Sequence, residues 1–343
     1  MISQVRKADS SAVESRGQVL FVHISPGSPP SFIRRDLEIL RSKFQVTPFF
    51  FRGHTDIPRL IPRIARHDVI LSWFAWDNAF WSNRIASVLH RGTVTIAGGF
   101  DVVNMPEIGY GNLLHSGPRL RTRDALRTAK TVLAVSQSIA NDATAVSGRE
   151  DIKVVYHGFD ANQYAPPTVK QDLAMTAGEV SETNLARKGI RSFARAAESL
   201  PNIPFLIAGR VWDSALRLLN PVSPNVKFLG YLPDSKLLDT MRVAKVYVQA
   251  SAHEGFGCAL AEGMLCGCVP VVSHRGAIPE VVGDAGIYVN HKDPRDVARG
   301  VREALERPEL GAAARSRIVS LFPLQKRRDE LTRAIDRILS THD

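Results

Sequence analysis

Two doubly wound α/β domains, each a parallel sheet with helices on both faces, are predicted by this chain of 343 residues. Three observations carry that expectation. Short apolar runs alternate with helical stretches, the grammar of βαβ units. The alternation halts at a Pro-containing segment and then restarts. The length is that of two domains rather than one.

In the first half, Gln18–Ile24, Val46–Phe51, Asp68–Trp73, Thr93–Ala97 and Val132–Val135 read as strands, because each is short and rich in branched or aromatic residues. Ser31–Lys43, Pro58–Arg66 and Arg119–Lys130 read as the helices between them. The second set of strands is Leu173–Ala177, Pro204–Ala208, Val226–Leu229, Val246–Ala250, Val269–Val272 and Ile287–Val289, closed by helices at Asp296–Glu306 and Lys326–Ile338. The linker is placed at Tyr156–Pro167, which carries His157-Gly158-Phe159-Asp160 and Pro166-Pro167. The expected domains are 1–160 and 161–343, with the last helix, about 324–340, packing back on the first domain. Ligands of such sheets bind beyond the carboxyl ends of strands, so functional residues are sought just after strands.

Composition narrows the classes. Apolar residues make up 44% and charged residues 23%, as in a globular chain with packed cores. No apolar stretch approaches the roughly 20 residues of a membrane helix. Met1 to Arg16 is polar and mixed in charge, without a signal core, so a cytoplasmic location is expected. Three cysteines, Cys258, Cys266 and Cys268, form no CxxC pair and point to a reducing compartment; no His pair beside them has zinc-ligand spacing. The net charge is +10, with 20 lysines and arginines against 14 acids in residues 1–160 and 24 against 20 in the rest. A basic surface favours anionic partners. Nucleic-acid binding is not expected, because the charge is spread rather than gathered in a stripe with interleaved aromatics.

The most informative segment is Ala250-Ser-Ala-His-Glu-Gly-Phe-Gly-Cys-Ala-Leu-Ala-Glu262, which follows a strand and opens a helix. Gly255 and Gly257 let the backbone bend and let a ligand approach. Free amides and the helix dipole at that point suit a phosphate or a sugar hydroxyl. Glu254 stands on the bend and Glu262 about two turns inside the helix, at ~3.6 residues per turn. Carboxylates hold sugar hydroxyls through charge-assisted hydrogen bonds. Glu262 falls among Leu260, Ala261, Met264 and Leu265, and a buried carboxylate without a partner is costly. The alternative is an exposed Glu pair beside a capping turn.

Glu254 through Glu262 resembles the E-x7-E motif of retaining glycosyltransferases of family 4, whose fold is GT-B. The segments Gly267-Cys-Val-Pro-Val-Val-Ser273, Gly276-Ala-Ile-Pro-Glu-Val-Val282 and Gly286-Ile-Tyr-Val289 continue that family's pattern in order. The resemblance is strong over about 172–343 and rests mainly on fold grammar over 18–165. It implies that the second domain binds a nucleoside-diphosphate sugar and the first an acceptor. It implies that Glu254 contacts the donor sugar, that Glu262 holds the ribose, and that the amides of Gly255, Phe256, Gly257 and Cys258 lie beside the sugar and diphosphate.

Arg187 and Lys188 lie in the loop Gly178-Glu-Val-Ser-Glu-Thr-Asn-Leu-Ala-Arg187-Lys188-Gly189 after a strand, where positive charge would stabilise a leaving diphosphate. Two solvated surface cations are the alternative. The family's pattern places an Arg directly after the Gly, but Glu179 stands there; Arg187, helped by Asn184, is expected to compensate. Arg210, after Ile207-Ala-Gly209, is a further phosphate candidate, with a surface role the alternative. Tyr231, in Phe228-Leu-Gly-Tyr231, is placed to stack on the base or simply to pack. Gly27, in Ser25-Pro-Gly27-Ser-Pro-Pro-Ser31, marks a small-residue loop after the first strand; no GxGxxG is present. Asp101, in Gly98-Gly-Phe-Asp101, is a candidate to orient the acceptor hydroxyl or stabilise charge on the sugar, with turn capping the alternative. Trp73, Trp76 and Trp81 are expected in the core, with stacking on a sugar or lipid the alternative. The run Arg119, Arg121, Arg123, Arg127 and Lys130 suits a membrane-bound acceptor or a solvated helix face.

The resemblance thus implies a retaining hexosyltransferase acting on a glycan, lipid or small-molecule hydroxyl by a front-face route. With no DxD in the chain, neither a metal nor another cofactor is expected beyond the nucleotide sugar. Surface association with the inner face of the membrane is an associated expectation. The rival readings are an isomerase of the same fold, of the UDP-sugar 2-epimerase type, and a basic-surface nucleic-acid or membrane binder.

Overall fold

The computed structural model describes residues 17–25, 27, 29–167 and 169–340. Met1–Arg16 and, in the loop singled out after the first strand, Pro26 and Ser28 lie outside the described residues. The first half runs β1 (Gln18–His23), α1 (Ser31–Arg41), β2 (Gln45–Phe50), α2 (Ile57–Ala65), β3 (Val69–Trp73), α3 (Asp77–Val88), β4 (Gly92–Ala97), α4 (Ser116–Thr128), β5 (Thr131–Ala134), α5 (Gln137–Ser147) and β6 (Lys153–Val154). The second runs β7 (Gln171–Ala177), α6 (Glu182–Arg187), α7 (Ile190–Ala196), β8 (Phe205–Ala208), α8 (Asp213–Leu219), β9 (Val226–Gly230), α9 (Asp234–Val243), β10 (Ala244–Gln249), α10 (Cys258–Leu265), β11 (Val269–Val272), α11 (Ile278–Val282) and β12 (Ile287–Tyr288). Three helices close the chain: α12 (Pro294–Glu306), α13 (Glu309–Leu321) and α14 (Leu324–Leu339).

The strands form two parallel six-stranded sheets, ordered β2-β1-β3-β4-β5-β6 and β12-β11-β10-β7-β8-β9. Burial explains why the strands were legible. Every residue of β3 and β4 is buried, as expected when helices cover both faces of a parallel sheet. The edge strand β2 exposes Gln45, Thr47 and Pro48, and a proline is tolerated at an edge because no ladder amide is lost there. Strand β6, Lys153–Val154, forms no apolar run and was not expected.

In each sheet the connections run outward from the middle and then reverse. In the second sheet, β7 leads to β8 and β9 on one side before the chain returns to β10 on the other. The loops after β7 and β10 therefore flank a crevice at their carboxyl ends, where a ligand can lie against sheet-supported backbone.

The halves are joined by more than a linker. Phe159 donates its amide to the carbonyl of Phe322, at 3.0 Å, and its carbonyl accepts from Leu324, at 2.9 Å. The chain's two crossings between halves thus pair with each other. Helix α14 then lies on α1, β3 and β4 of the first half. Its Arg327 is 1% exposed and donates to both carboxylate oxygens of Asp36 on α1, at 2.9 and 2.6 Å. Asp36 also accepts from the Trp73 indole at 2.9 Å, and Arg327 caps the carbonyl of Val155. Across the same seam, Glu280 of α11 accepts the first amides of α5, from Gln137 at 2.8 Å and Ser138 at 2.7 Å, where the helix dipole favours an anion. A single buried apolar cluster runs from Val19 and Trp73 to Leu260 and Val272.

Removing one member of a fully buried ion pair strands a charge in a low dielectric, at a cost of about 3–5 kcal/mol. Asp36→Ala is therefore expected to lower the unfolding free energy by about that amount in denaturant titration. The double variant Asp36→Leu with Arg327→Met should recover most of the loss. A single variant as stable as the parent would contradict this account of the seam.

Candidate active site

The bend after β10 lies against the loop at Gly98 and Gly99 of the first half. A Cβ added at Gly255 would collide with the carbonyl oxygen of Gly98, so glycine is what allows the first half to seat on the bend. Gly257, at φ 96°, turns the chain into α10 through a left-handed conformation that other residues resist. The Phe256 ring is 3% exposed and packs on His157 (5.2 Å between centroids), Phe322 (5.3 Å) and Tyr156 (6.2 Å). The Phe256 side chain thus belongs to the seam, leaving only its backbone for a ligand. Among the described residues, the amides of Gly255 to Leu260 donate to no protein acceptor, and the helical ladder begins with Ala261 on Gly257. Burial pushes the Cys258 thiol up to about 12, so that residue offers an amide rather than a thiolate.

Glu254 is 7% exposed. Its Oε1 accepts from Lys188 Nζ at 2.8 Å, Ser251 Oγ at 2.9 Å and Gln249 Nε2 at 3.0 Å. Burial pushes its carboxyl up, yet the charges of Lys188 and Arg187 and the hydrogen bonds of Lys188 and Ser251 hold it below the ordinary value. The site therefore contains a buried carboxylate kept ionised by a half-buried ammonium. Oε2 takes no hydrogen bond from a described residue and remains for a ligand.

Helix α6, where a loop was expected after β7, delivers the cations: Arg187 is its last residue and Lys188 its C-cap. Asn184 donates to the Glu179 carbonyl at 2.9 Å and accepts from Arg187 Nε at 2.8 Å, so the two residues expected to act together do touch. The Arg187 guanidinium lies 4.8 Å from the centroid of Tyr110, which reaches across from the first half. The Glu179 carboxylate turns aside to the Trp212 indole, at 2.8 Å.

Glu262 occupies a second position, lining a cavity of about 490 Å³ between α1, α9 and the start of α10. Its Oε1 lies 3.4 Å from both Arg35 Nη2 and Tyr164 Oη. Burial raises its carboxyl above the ordinary value, and Arg35 only partly offsets that. Arg34 and Asp234 face each other across the same cavity as an ion pair.

The remaining expected residues lie elsewhere. Asp101 is fully buried, and its carboxylate accepts from the amides of Ala75 (2.7 Å), Gly99 (2.8 Å) and Gly98 (3.1 Å). That geometry organises the loop opposite Gly255 and presents no oxygen to the cleft. Arg210 is exposed over Trp212, Tyr231 is 73% exposed, and neither lines either of the cavities beside the bend. Gly27 is exposed at φ 69°. Of the tryptophans expected in the core, Trp73 is fully buried, while Trp76 and Trp81 are half-buried.

Several partners escaped the sequence. Arg35, Tyr164 and Tyr110 come from distant segments with no motif of their own. Gln249 did carry a signal: an amide ending the apolar run Val246–Val248 needs a buried partner.

Residues 173–307 match the family model described as glycosyl transferases group 1. The chain is 32% identical over 130 residues to O-antigen chain mannosyltransferase B of Escherichia coli, spanning 35% of this chain and 34% of that protein. It is 25% identical over 276 residues to the GDP-mannose-dependent monoacylated alpha-(1-6)-phosphatidylinositol monomannoside mannosyltransferase of Corynebacterium glutamicum, covering 71% of each. The solved structure of Anabaena HepE in complex with UDP and glucose superimposes with a TM-score of 0.79 at 17% identity, over 94% of this chain and all of that one.

The raised carboxyl of Glu262 has a consequence for stability. Folding favours its protonated form. That contribution is fully present below the unfolded value of about 4.5 and is lost as pH rises through the higher folded value. Glu262→Gln keeps the neutral shape. It is expected to match the parent near pH 4 and to melt higher than the parent at pH 7, by differential scanning fluorimetry across that range. An equal offset at both pH values would contradict this electrostatic account.

Proposed function

We propose, from residues 173–307 being a group 1 glycosyl transferase domain and the whole chain having the GT-B fold, that this protein transfers a sugar from a nucleoside diphosphate to an acceptor hydroxyl. The carrying observation is the ionised Glu254 held by Lys188 at the mouth of the crevice, beside amides that donate to no acceptor among the described residues. This arrangement suits a ligand with hydroxyls at one end and a diphosphate at the other.

In this reading, the free Oε2 of Glu254 accepts from a hydroxyl of the donor sugar. The diphosphate lies against the amides of Gly255–Cys258, with Lys188 and Arg187 neutralising it. Their positive charge counts most as the bond from the anomeric carbon to the phosphate oxygen breaks, because charge then gathers on the leaving group in a water-poor site. Glu262 takes the ribose hydroxyls in place of Arg35 and Tyr164. The acceptor oxygen bonds to the anomeric carbon on the face the phosphate leaves, and its proton passes to the departing phosphate oxygen. The anomeric configuration is retained, and the cationic side chains do the neutralising that a metal would otherwise do.

The lengths of the relatives bear on the acceptor. The chain spans about a third of the E. coli protein, so whole-protein activity is not carried over from it. We place the acceptor among carbohydrates and lipid-linked sugars, the classes named for the relatives. No helix among the described residues is long and apolar enough to cross a membrane.

The test is donor turnover over a panel of GDP-mannose, UDP-glucose, UDP-N-acetylglucosamine and ADP-glucose, with and without acceptor. Lys188→Ala is expected to lower kcat for the accepted donor by about 10²–10³, the usual loss of one stabilising group at a developing charge. Glu254→Gln should lower kcat/KM comparably while the nucleoside diphosphate alone still binds. Unchanged turnover in both variants would remove the assignment.

A further inference from the structure

The donor reading leaves the opposite flank of the bend without a role. A second cavity of about 730 Å³ opens there, between α4, α5 and the loop around Val103 in the first half and Ala252, His253, Arg275 and Gly276 in the second. That volume is typical of small-molecule sites, which run from ~300 to 1,000 Å³.

The lining is specific in charge. Arg119 and Arg123 project from α4 and Arg275 from the loop before α11, so cations enter from both halves. None of the three guanidiniums has an ion-pair or hydrogen-bond partner among the described residues, although most other arginines of the seam are bonded. One acid, Asp142, faces them. His253 is 8% exposed, and neither of its ring nitrogens has a hydrogen-bond partner among the described residues. An unsatisfied buried donor costs about 1–3 kcal/mol, so a histidine left this way in the wall of a polar cavity has a missing partner. Asp142 Oδ2, 3.9 Å from Nε2, is near enough to orient the ring but too far to bond it well. Val103, Leu113 and Val146 form an apolar part of the wall, beside the polar Asn104 and Ser138.

This cavity adjoins the reacting end of the donor site. His253 precedes Glu254 in the chain, and the ring of Tyr110 lies 6.1 Å from His253 on one side and under Arg187 on the other. A ligand in the cavity would point a hydroxyl past Tyr110 toward the donor sugar.

We propose that this cavity binds a phosphate ester, with Arg119, Arg123 and Arg275 gripping the phosphate, His253 donating a ring N–H to a ligand oxygen, and the apolar wall covering the ester's carbon frame. Guanidinium forks match phosphate oxygens in geometry and charge. Naming this ligand the acceptor rests on the transferase reading above; the anion site itself does not.

The experiment measures binding of inorganic phosphate, myo-inositol 1-phosphate and myo-inositol to the full chain by calorimetry, with the donor site saturated by the nucleoside diphosphate that binds. A parallel arm measures retention on phosphatidylcholine vesicles with and without phosphatidylinositol. The phosphorylated cyclitol is expected to bind at least about tenfold more tightly than the neutral one, a difference of about 1.4 kcal/mol. Arg275→Gln should abolish that preference while leaving the nucleoside diphosphate Kd unchanged. Lys188→Ala should do the reverse, which separates this anion site from the diphosphate site. Tight binding of the soluble ester assigns the cavity to a free phosphate ester. Retention on phosphatidylinositol vesicles that Arg275→Gln removes assigns it to a lipid headgroup. Equal binding of phosphorylated and neutral probes, no binding of either with no Arg275-dependent retention, or a preference untouched by Arg275→Gln would overturn the proposal. Failure of every nucleoside diphosphate to bind would instead sink the transferase reading, and the phosphate preference would still judge this one.

Discussion

The buried pair between Asp36 and Arg327 is the constraint on which the rest of the molecule depends. A guanidinium taken wholly out of water needs nearly all of its donors satisfied, and here they go to both oxygens of one carboxylate and to the carbonyls of Val155 and Tyr156. Asp36 belongs to the first half, Arg327 to the helix that returns from the second, and the two carbonyls to the crossing between them. Such a pair adds little net stability over a well-packed apolar substitute, but it tolerates few alternative geometries. Its contribution here is register: it fixes where the second sheet stands against the first.

That register creates the site. With the halves so placed, Gly98 meets Gly255, and the bend after β10 is covered at its centre and open on both flanks. One flank holds Glu262 and the start of α10; the other holds His253 and the unpaired arginines. Glu254 lies between, in a position that would be hostile to a carboxylate but for Lys188. Glu254 and Lys188 balance each other, so a further anion needs Arg187 and the backbone amides beside Lys188. The fold thus separates a region suited to an anionic donor from a second anion-compatible cavity, with Tyr110 standing between them.

How much of this could be read beforehand follows from the range of each interaction. Most strands of both sheets were legible because burial on two faces writes a continuous apolar run into four or more adjacent residues; the exposed edge strand β2 was read from its branched and aromatic residues instead. β6 was not, because Lys153 and Val154 make no apolar run, whereas the equally short β12 continues into the apolar Val289. The bend at Glu254–Glu262 was legible because its glycines and acids are close in sequence and follow a strand. Arg187 and Asn184, three residues apart on α6, were legible as a pair for the same reason. Asp101 shows the limit. Its type and its place after a strand fit a reacting group equally well as a loop staple, and only its three amide donors distinguish the two.

The sequence by itself determined the two-sheet α/β architecture, the crevice at the strand ends and the chemistry gathered on the glycine-rich bend. These depend on periodicity and short spacing, which local backbone geometry translates directly. Only the tertiary structure decided that Arg35 and Tyr164 meet Glu262, that Arg327 locks onto Asp36 and that His253 shares a cavity with Arg119, Arg123 and Arg275. Those partners lie tens to hundreds of residues apart. Their meeting is set by how two independently patterned sheets pack, and no local propensity encodes that distance.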